Sequence, residues 1–225
     1  MSYKYLSIAA AAALAVCSAG AQAAAVELTT NGGFETGTFV GWTNFASAPN
    51  TVAIDPAGST LSGGGSFSGE MSVVTAPGDV LFKQANVGAG FVLAGETVTV
   101  SFDVKGTFVN GAVAFAELFS ELSGGGTSKS VILGNAPLFA QGKGNLADWT
   151  RFTFTSELGP DVSGGITLQL KGGTGADLGS TATVFWDNAS LTVDRVPAIP
   201  EPGTYAMLLA GLGVVGFMAR RRRAA

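Results

Sequence analysis

Histidine is absent from this chain of 225 residues, and cysteine occurs once, at Cys17. Without histidine there is no Ser-His-Asp triad, no Cys-His dyad and no His-ligated zinc site. A single thiol excludes an internal disulfide framework, an all-cysteine zinc site and an iron–sulfur cluster. Charge is scarce as well, at 12% of residues. All three tyrosines (Tyr3, Tyr5 and Tyr205) fall near the ends, so the middle of the chain has only fourteen Phe and three Trp as aromatics. Between Ala24 and Ile199 seven basic residues stand against fifteen acidic ones, which puts that body near −8. An acidic surface without basic clusters argues against nucleic acid and anionic lipid as partners of the body. No G-x-S-x-G elbow, EF-hand loop or P-loop occurs, and no motif marks Glu35, Asp103, Glu117 or Glu121 as catalytic. The body therefore reads as non-catalytic. A glycoside-active enzyme built on a carboxylate pair is the weaker alternative.

Long apolar runs occur only at the two ends, and both read as addresses. Residues 1–23 have the parts of a secretory signal peptide. Lys4 supplies the positive start, Leu6 to Val16 an apolar run too short to span a bilayer comfortably, and Ala21-Gln22-Ala23 a cleavage site. Such a leader passes the chain to the Sec translocon. A lipoprotein cysteine would need a small residue before Cys17, where Val16 stands. At the other end, residues 195–202 read as a linker ending in Pro200-Glu201-Pro202. An uncharged segment, 203–219, and a basic tail, 220–225 with Arg220, Arg221, Arg222 and Arg223, follow it. Seventeen helical residues reach about 25 Å, enough for a single transmembrane helix. The arginines stay cytoplasmic by the positive-inside rule, which leaves the body outside. Gly211, Gly213 and Gly216 spell G-x-G-x-x-G, but no strand precedes them and no acidic residue follows at the ribose-binding distance. They read as packing positions in a membrane helix.

This three-part end closely resembles the PEP-CTERM sorting signal of Gram-negative bacteria. The resemblance implies that an exosortase, a membrane-embedded transpeptidase-like protease, recognises Pro200-Glu201-Pro202. It also implies transient inner-membrane anchoring through the C-terminal helix, followed by transfer to the cell surface or the medium. A plain C-terminal anchor is the alternative, though it would not require the Pro-Glu-Pro.

Residues 24–194 read as β throughout. Val98, Val100, Phe102 and Val104 alternate with Thr97, Thr99, Ser101 and Asp103, and Ile166, Leu168 and Leu170 repeat the pattern. Phe152 and Phe154 mark another inward face. Further strands are expected at 26–30, 51–54, 71–75, 79–83, 112–119, 129–133 and 182–193. Of these, 112–122 is ambiguous, since its Ala, Glu and Leu would also suit a helix. About ten period-two runs bounded by Gly, Ser, Asn and Pro predict an all-β, jelly-roll β-sandwich.

Two stretches carry a second resemblance. Asn31-Gly32-Gly33-Phe34-Glu35 with Gly41-Trp42 opens the body, and Phe185-Trp186-Asp187-Asn188-Ala189-Ser190-Leu191 closes it. Together they look like the galactose-binding-like jelly rolls, the fold of several carbohydrate-binding modules. The resemblance implies a structural calcium joining Glu35 to Asp187. Strand parity with Phe185, Ala189, Leu191 and Val193 independently points Asp187 toward the core, where a carboxylate must be paired, hydrogen-bonded or metal-bound. The alternative is a carboxylate that accepts loop N–H groups. Asn188-Ala189-Ser190 fits a glycosylation pattern but lies in an expected core strand of a bacterial-type protein.

The resulting expectation is an exported, exosortase-sorted, non-catalytic protein of the cell envelope or extracellular matrix, associated with biofilm or exopolysaccharide. The alternative is a carbohydrate-binding module for extracellular polysaccharide, with Trp149 and Trp42 as candidate platforms. Exposed rings would favour binding, and buried rings a scaffold.

Overall fold

The computed structural model describes residues 24–140 and 146–195, together with 208–209, 211–213, 216 and 220 of the tail. The leader 1–23, Pro200, Glu201 and Pro202, most of 203–219, and Arg221, Arg222 and Arg223 lie outside the described residues. The chain divides into a body, Ala25–Asp194, and a unit made of its two ends. In the tail the described residues, Arg220 among them, are helical and exposed. Among the described residues no helix is long and apolar enough to cross a membrane.

The body is a β-sandwich of two six-stranded sheets. In chain order the strands are β1 (Ala24–Glu27), β2 (Thr43–Ala46), β3 (Thr51–Asp55), β4 (Ser68–Val73), β5 (Gly78–Val87), β6 (Thr97–Val109) and β7 (Val113–Glu121). They continue with β8 (Thr127–Ile132), β9 (Phe139–Ala140), β10 (Leu146–Glu157), β11 (Gly165–Thr174) and β12 (Thr181–Arg195). The first sheet runs β10-β6-β12-β4-β3, with β1 also on β12; the second runs β2-β5-β11-β7-β8, with β9 also on β7. The expected strands are all present. The short β2 and β9 were not anticipated, and the ambiguous stretch forms β7.

Alternation decides which face of each strand is buried. Val98, Val100, Phe102 and Val104 of β6 point into the core, and so do Ile166, Leu168 and Leu170 of β11. One end of the core is aromatic: Phe34 stacks on Trp42 with ring centroids 5.5 Å apart and lies 5.5 Å from Phe82. Gly69 of β4 makes room for them, because a Cβ there would sit 2.7 Å from the Phe34 ring and 2.8 Å from the Phe82 ring. In the middle of the core, Phe102 meets Trp186 edge to face at 5.3 Å.

β12 departs from simple parity. It pairs with β6 through Asp187↔Asp103 and then Ser190↔Ser101, which is a one-residue bulge. Asn188 takes the extra residue in the left-handed region, at φ 48°, a conformation asparagine tolerates well. The bulge inverts the strand's two faces. Ala182, Val184 and Trp186 are buried before it, and Ala189, Leu191 and Val193 after it. Asp187 is therefore buried as expected, but on the opposite face from the core. Parity counted straight through Asn188 points it the wrong way.

The opening segment is seated on this bulge. Ala189 N–H donates to the Gly32 carbonyl at 2.9 Å, and a Cβ at Gly32 would lie 1.8 Å from the Ala189 oxygen, so the contact admits only glycine. Glu27 of β1 latches the same place. Its carboxylate accepts N–H bonds from Thr29 (2.8 Å) and Leu191 (3.0 Å), and hydroxyl bonds from Thr29 and Ser190. Burial raises the Glu27 pKa, but these bonds outweigh it and hold the value below the ordinary one. A depressed folded-state pKa stabilises the fold above the unfolded pKa and is lost as pH falls through the folded value. Glu27→Gln should therefore melt below the wild type at pH 7, with the gap closing under acid below about pH 4. Thermal melts across pH check this, and a gap that widens in acid would contradict it.

Candidate functional site

Two regions of the body carry chemistry. The first lies on the outer face of the first sheet, where the pairing register sets Arg151 of β10, Asp103 of β6 and Asp187 of β12 side by side. Asp103 is completely buried and carries four bonds. Arg151 Nε reaches Oδ1 at 2.7 Å, and Oδ2 accepts Arg151 Nη2 (2.9 Å), Ser59 Oγ (2.7 Å) and Asn188 Nδ2 (2.8 Å). The bond to Asp103 raises the Arg151 pKa further above its already high ordinary value, and Nη2 also donates to the Ser62 carbonyl at 2.8 Å. Asp187 accepts the N–H groups of Ser59 and Asn188, both at 2.6 Å. Its burial pushes the pKa up, the two N–H bonds oppose this, and the negative charges of Asp103 and Glu35 add to the rise, to about 6.

Glu35 completes the arrangement. Its carboxylate accepts Ser66 N–H (3.0 and 2.9 Å to its two oxygens) and Phe67 N–H (3.0 Å). The loop 56–67 is thus held by Asp187 and Asp103 at Ser59, by Arg151 at Ser62 and by Glu35 at Ser66 and Phe67. Oxygen donors of this kind are the class calcium takes. As placed, however, both carboxylates already serve backbone N–H groups, and among the described residues no group of three or more Asp, Glu, Cys or His is arranged to hold a metal ion. As placed, the donor set clasps the loop through its backbone N–H groups.

Neither candidate tryptophan is an open platform. Trp42 is 6% exposed, stacked on Phe34, and its Nε1 donates to the Asn31 carbonyl at 3.0 Å. Trp149 shares the outer face with Arg151 as expected, yet it is only 8% exposed. The Lys105 ammonium lies 4.7 Å from its ring centroid and 4.7 Å from that of Phe185.

The second region is the outer face of the second sheet. One cross-strand row runs Phe45, Leu81, Lys171, Phe115 over β2, β5, β11 and β7. A second row, two residues along, runs Thr43, Lys83, Gln169, Glu117, Ile132 and reaches β8. Strands stand about 4.8 Å apart, so the first row spans roughly 14 Å. Phe45 is 49% exposed. Lys83 and Lys171 each lie 5.5 Å from a ring centroid, of Phe45 and Phe115 respectively. Gln169 Nε2 donates to Glu117 at 2.8 Å, and Lys171 pairs with Asp79 at 2.9 Å. Beyond Asp79 a cavity of about 350 Å³ is lined by Pro77, Gly78, Asp79 and Thr174. Aromatic plates beside fixed donors and acceptors form a surface that can take a polar chain with apolar faces. Sequence reasoning missed this face. One sign of it was present in β7, where Ala114 and Ala116 point inward while Val113, Phe115 and Phe119 point outward. Large residues on the side opposite small buried ones mark an unusual outer surface.

Residues 198–223 match the PEP-CTERM protein-sorting motif. No curated protein matches the chain. Among solved structures, the enzymatically active domain of tailspike protein 4 of bacteriophage CBA120 superposes with a TM-score of 0.53 over 74% of this chain at 15% identity. The match spans 21% of that tailspike chain. A Stig cyclase from Fischerella sp. TAU, solved with an indole ligand, gives 0.50 at 16% identity, covering 77% of this chain and all of its own. The CBM22-1 xylan-binding domain from Paenibacillus barcinonensis gives 0.48 at 19% identity, covering 78% of this chain and 98% of its own. At such identities the likeness is one of fold, a β-sandwich shared by proteins of different activity.

The clasp yields a prediction in two parts. Arg151→Met strips the one cation from a buried carboxylate and should cost about 2 kcal/mol in urea unfolding, since hydrogen bonds to charged groups are worth that order. The melting temperature should be the same in millimolar calcium and in chelator. A calcium-dependent rise that Glu35→Gln abolishes would restore the calcium bridge.

Proposed function

We propose that this protein is an exported, exosortase-processed, non-catalytic β-sandwich of the cell surface or extracellular matrix, and that it holds extracellular polysaccharide on the outer face of its second sheet. The observation that carries the sorting half is the match of residues 198–223 to the PEP-CTERM motif. On this reading the leader directs the chain to the Sec translocon, and the C-terminal helix anchors it in the inner membrane with Arg220–Arg223 inside. The exosortase then acts at Pro200-Glu201-Pro202, and the body is delivered outward in a Gram-negative host.

The binding half is supported by the rows Phe45–Leu81–Lys171–Phe115 and Thr43–Lys83–Gln169–Glu117. Sugars offer apolar faces to rings and hydroxyls to donors and acceptors, and this surface presents both. Two of the body's seven basic residues, Lys83 and Lys171, stand here, so the face is locally close to neutral on a body near −8. That suits a neutral polymer. The buried state of Trp42 and Trp149 favours a packing role for both rings, which leaves Phe45 and Phe115 as the residues that meet the glycan. A catalytic reading finds little support, because the buried acids Asp103 and Asp187 are occupied in clasping the loop 56–67. The biofilm association follows from the sorting reading.

Retention of the secreted protein on the host's own exopolysaccharide tests the binding half. Phe45→Ala and Phe115→Ala should each weaken retention roughly three- to tenfold, the scale of one lost aromatic contact. Trp149→Ala should lower stability without selectively lowering retention in the protein that remains folded. Unchanged retention in the Phe45→Ala/Phe115→Ala double variant would refute the face.

A further inference from the structure

We propose that the loop joining β5 to β6, residues 88–96, rests Phe91 and Leu93 in the periplasmic surface of the lipid bilayer while the C-terminal segment anchors the chain. This rests on the sorting reading above.

The topology puts the loop where the chain departs for the membrane. Val193 of β12 pairs with Val98 of β6, so Asp194, the last residue of the body, lies beside Thr97, where the loop ends. The start of the body is at the same end. Leu28 N–H donates to the Leu191 carbonyl at 2.8 Å, while Gly32 meets Ala189, so β1 runs back along β12 toward Asp194. Residues 196–202 can stretch at most about 25 Å. This end of the sandwich is therefore the one from which the chain leads, over a short tether, to the anchor.

The loop is built for such a surface. Gly88-Ala89-Gly90-Phe91-Val92-Leu93-Ala94-Gly95 contains no charged residue. Its middle residue, Val92, is buried, while Phe91 and Leu93 on either side are 41% and 59% exposed. The loop's shape is set in advance by bonds from Phe91 N–H and Val92 N–H to the Gly88 carbonyl, both 2.9 Å, and from Glu96 N–H to the Leu93 carbonyl, 3.1 Å. The Glu96 carboxylate turns back onto Leu93 N–H at 2.9 Å. Two apolar side chains held on a preformed loop gain burial at little further cost in chain entropy. Having no cation, the loop needs no anionic lipid and should enter a zwitterionic surface. The opposite end of the sandwich supplies a control in Leu178, 92% exposed, which follows Asp177 in the β11–β12 loop.

The test uses the full precursor with its tail, in a Cys17→Ser background, carrying Leu93→Cys or Leu178→Cys labelled with a polarity-sensitive dye. Each is reconstituted in phosphatidylcholine vesicles. The dye at 93 should shift to the blue and be quenched by nitroxide lipids. The dye at 178 should report water, and release of the body by the exosortase should return the dye at 93 to water. An anchored chain with the dye at 93 in water would overturn the loop's role alone. A chain that stays off the vesicles altogether would overturn the anchoring reading, and this proposal with it.

Discussion

A carboxylate without solvent contact, Asp103, lies buried on the outer side of the first sheet. An ion in that position must be compensated by close partners or the fold loses several kcal/mol. Its partners come from distant parts of the chain: Arg151 on β10, Asn188 on β12, and Ser59 on a loop 44 residues upstream. Satisfying one charge therefore fixes the order of three adjacent strands and brings the loop 56–67 down onto them. Asn188 supplies both a side-chain donor to Asp103 and the left-handed backbone of the bulge, and the bulge turns Asp187 toward the same loop. The opening segment then closes over the bulge through Gly32, and Glu35 captures the far end of the loop.

The same network explains which parts of the fold were legible in the residues. Strands such as β6 and β11 bury one face against a continuous core, and period-two patterning registers that directly. The bulge at Asn188 shows in the residues only as a change of phase, from apolar Ala182, Val184 and Trp186 to Ala189, Leu191 and Val193, which one parity counted through the whole strand passes over. The inward placement of Asp187 consequently came out on the wrong face, even though its burial was foreseen. The two short motifs at the ends of the body were visible as motifs, but their contact was not, since it depends on a carbonyl meeting a glycine across 157 residues of chain.

The candidate surface was harder to read than the fold. A tryptophan on an outward position looks exposed in a string of letters, yet Lys105 lies across Trp149. Conversely, β7 looked half-helical because of its Ala, Glu and Leu, and that composition obscured the outward phenylalanines. The C-terminal address was legible at once. Its recognition depends on a short linear pattern and a charge cluster rather than on packing, and residues 198–223 carry both. One outer face of the sandwich is clasped by buried charge, the other is lined with rings and amines, and the tail carries the sorting motif.

Intact mass of the native protein in each cell fraction, with and without the host's exosortase, decides whether the C-terminal sorting signal is read. The competent strain should hold an extracellular form that begins near Ala24 and ends close to Pro200–Pro202, and the deficient one a tailed precursor in the inner membrane. A form that still carries Arg220–Arg223 in the inner membrane of both strains would contradict the sorting reading.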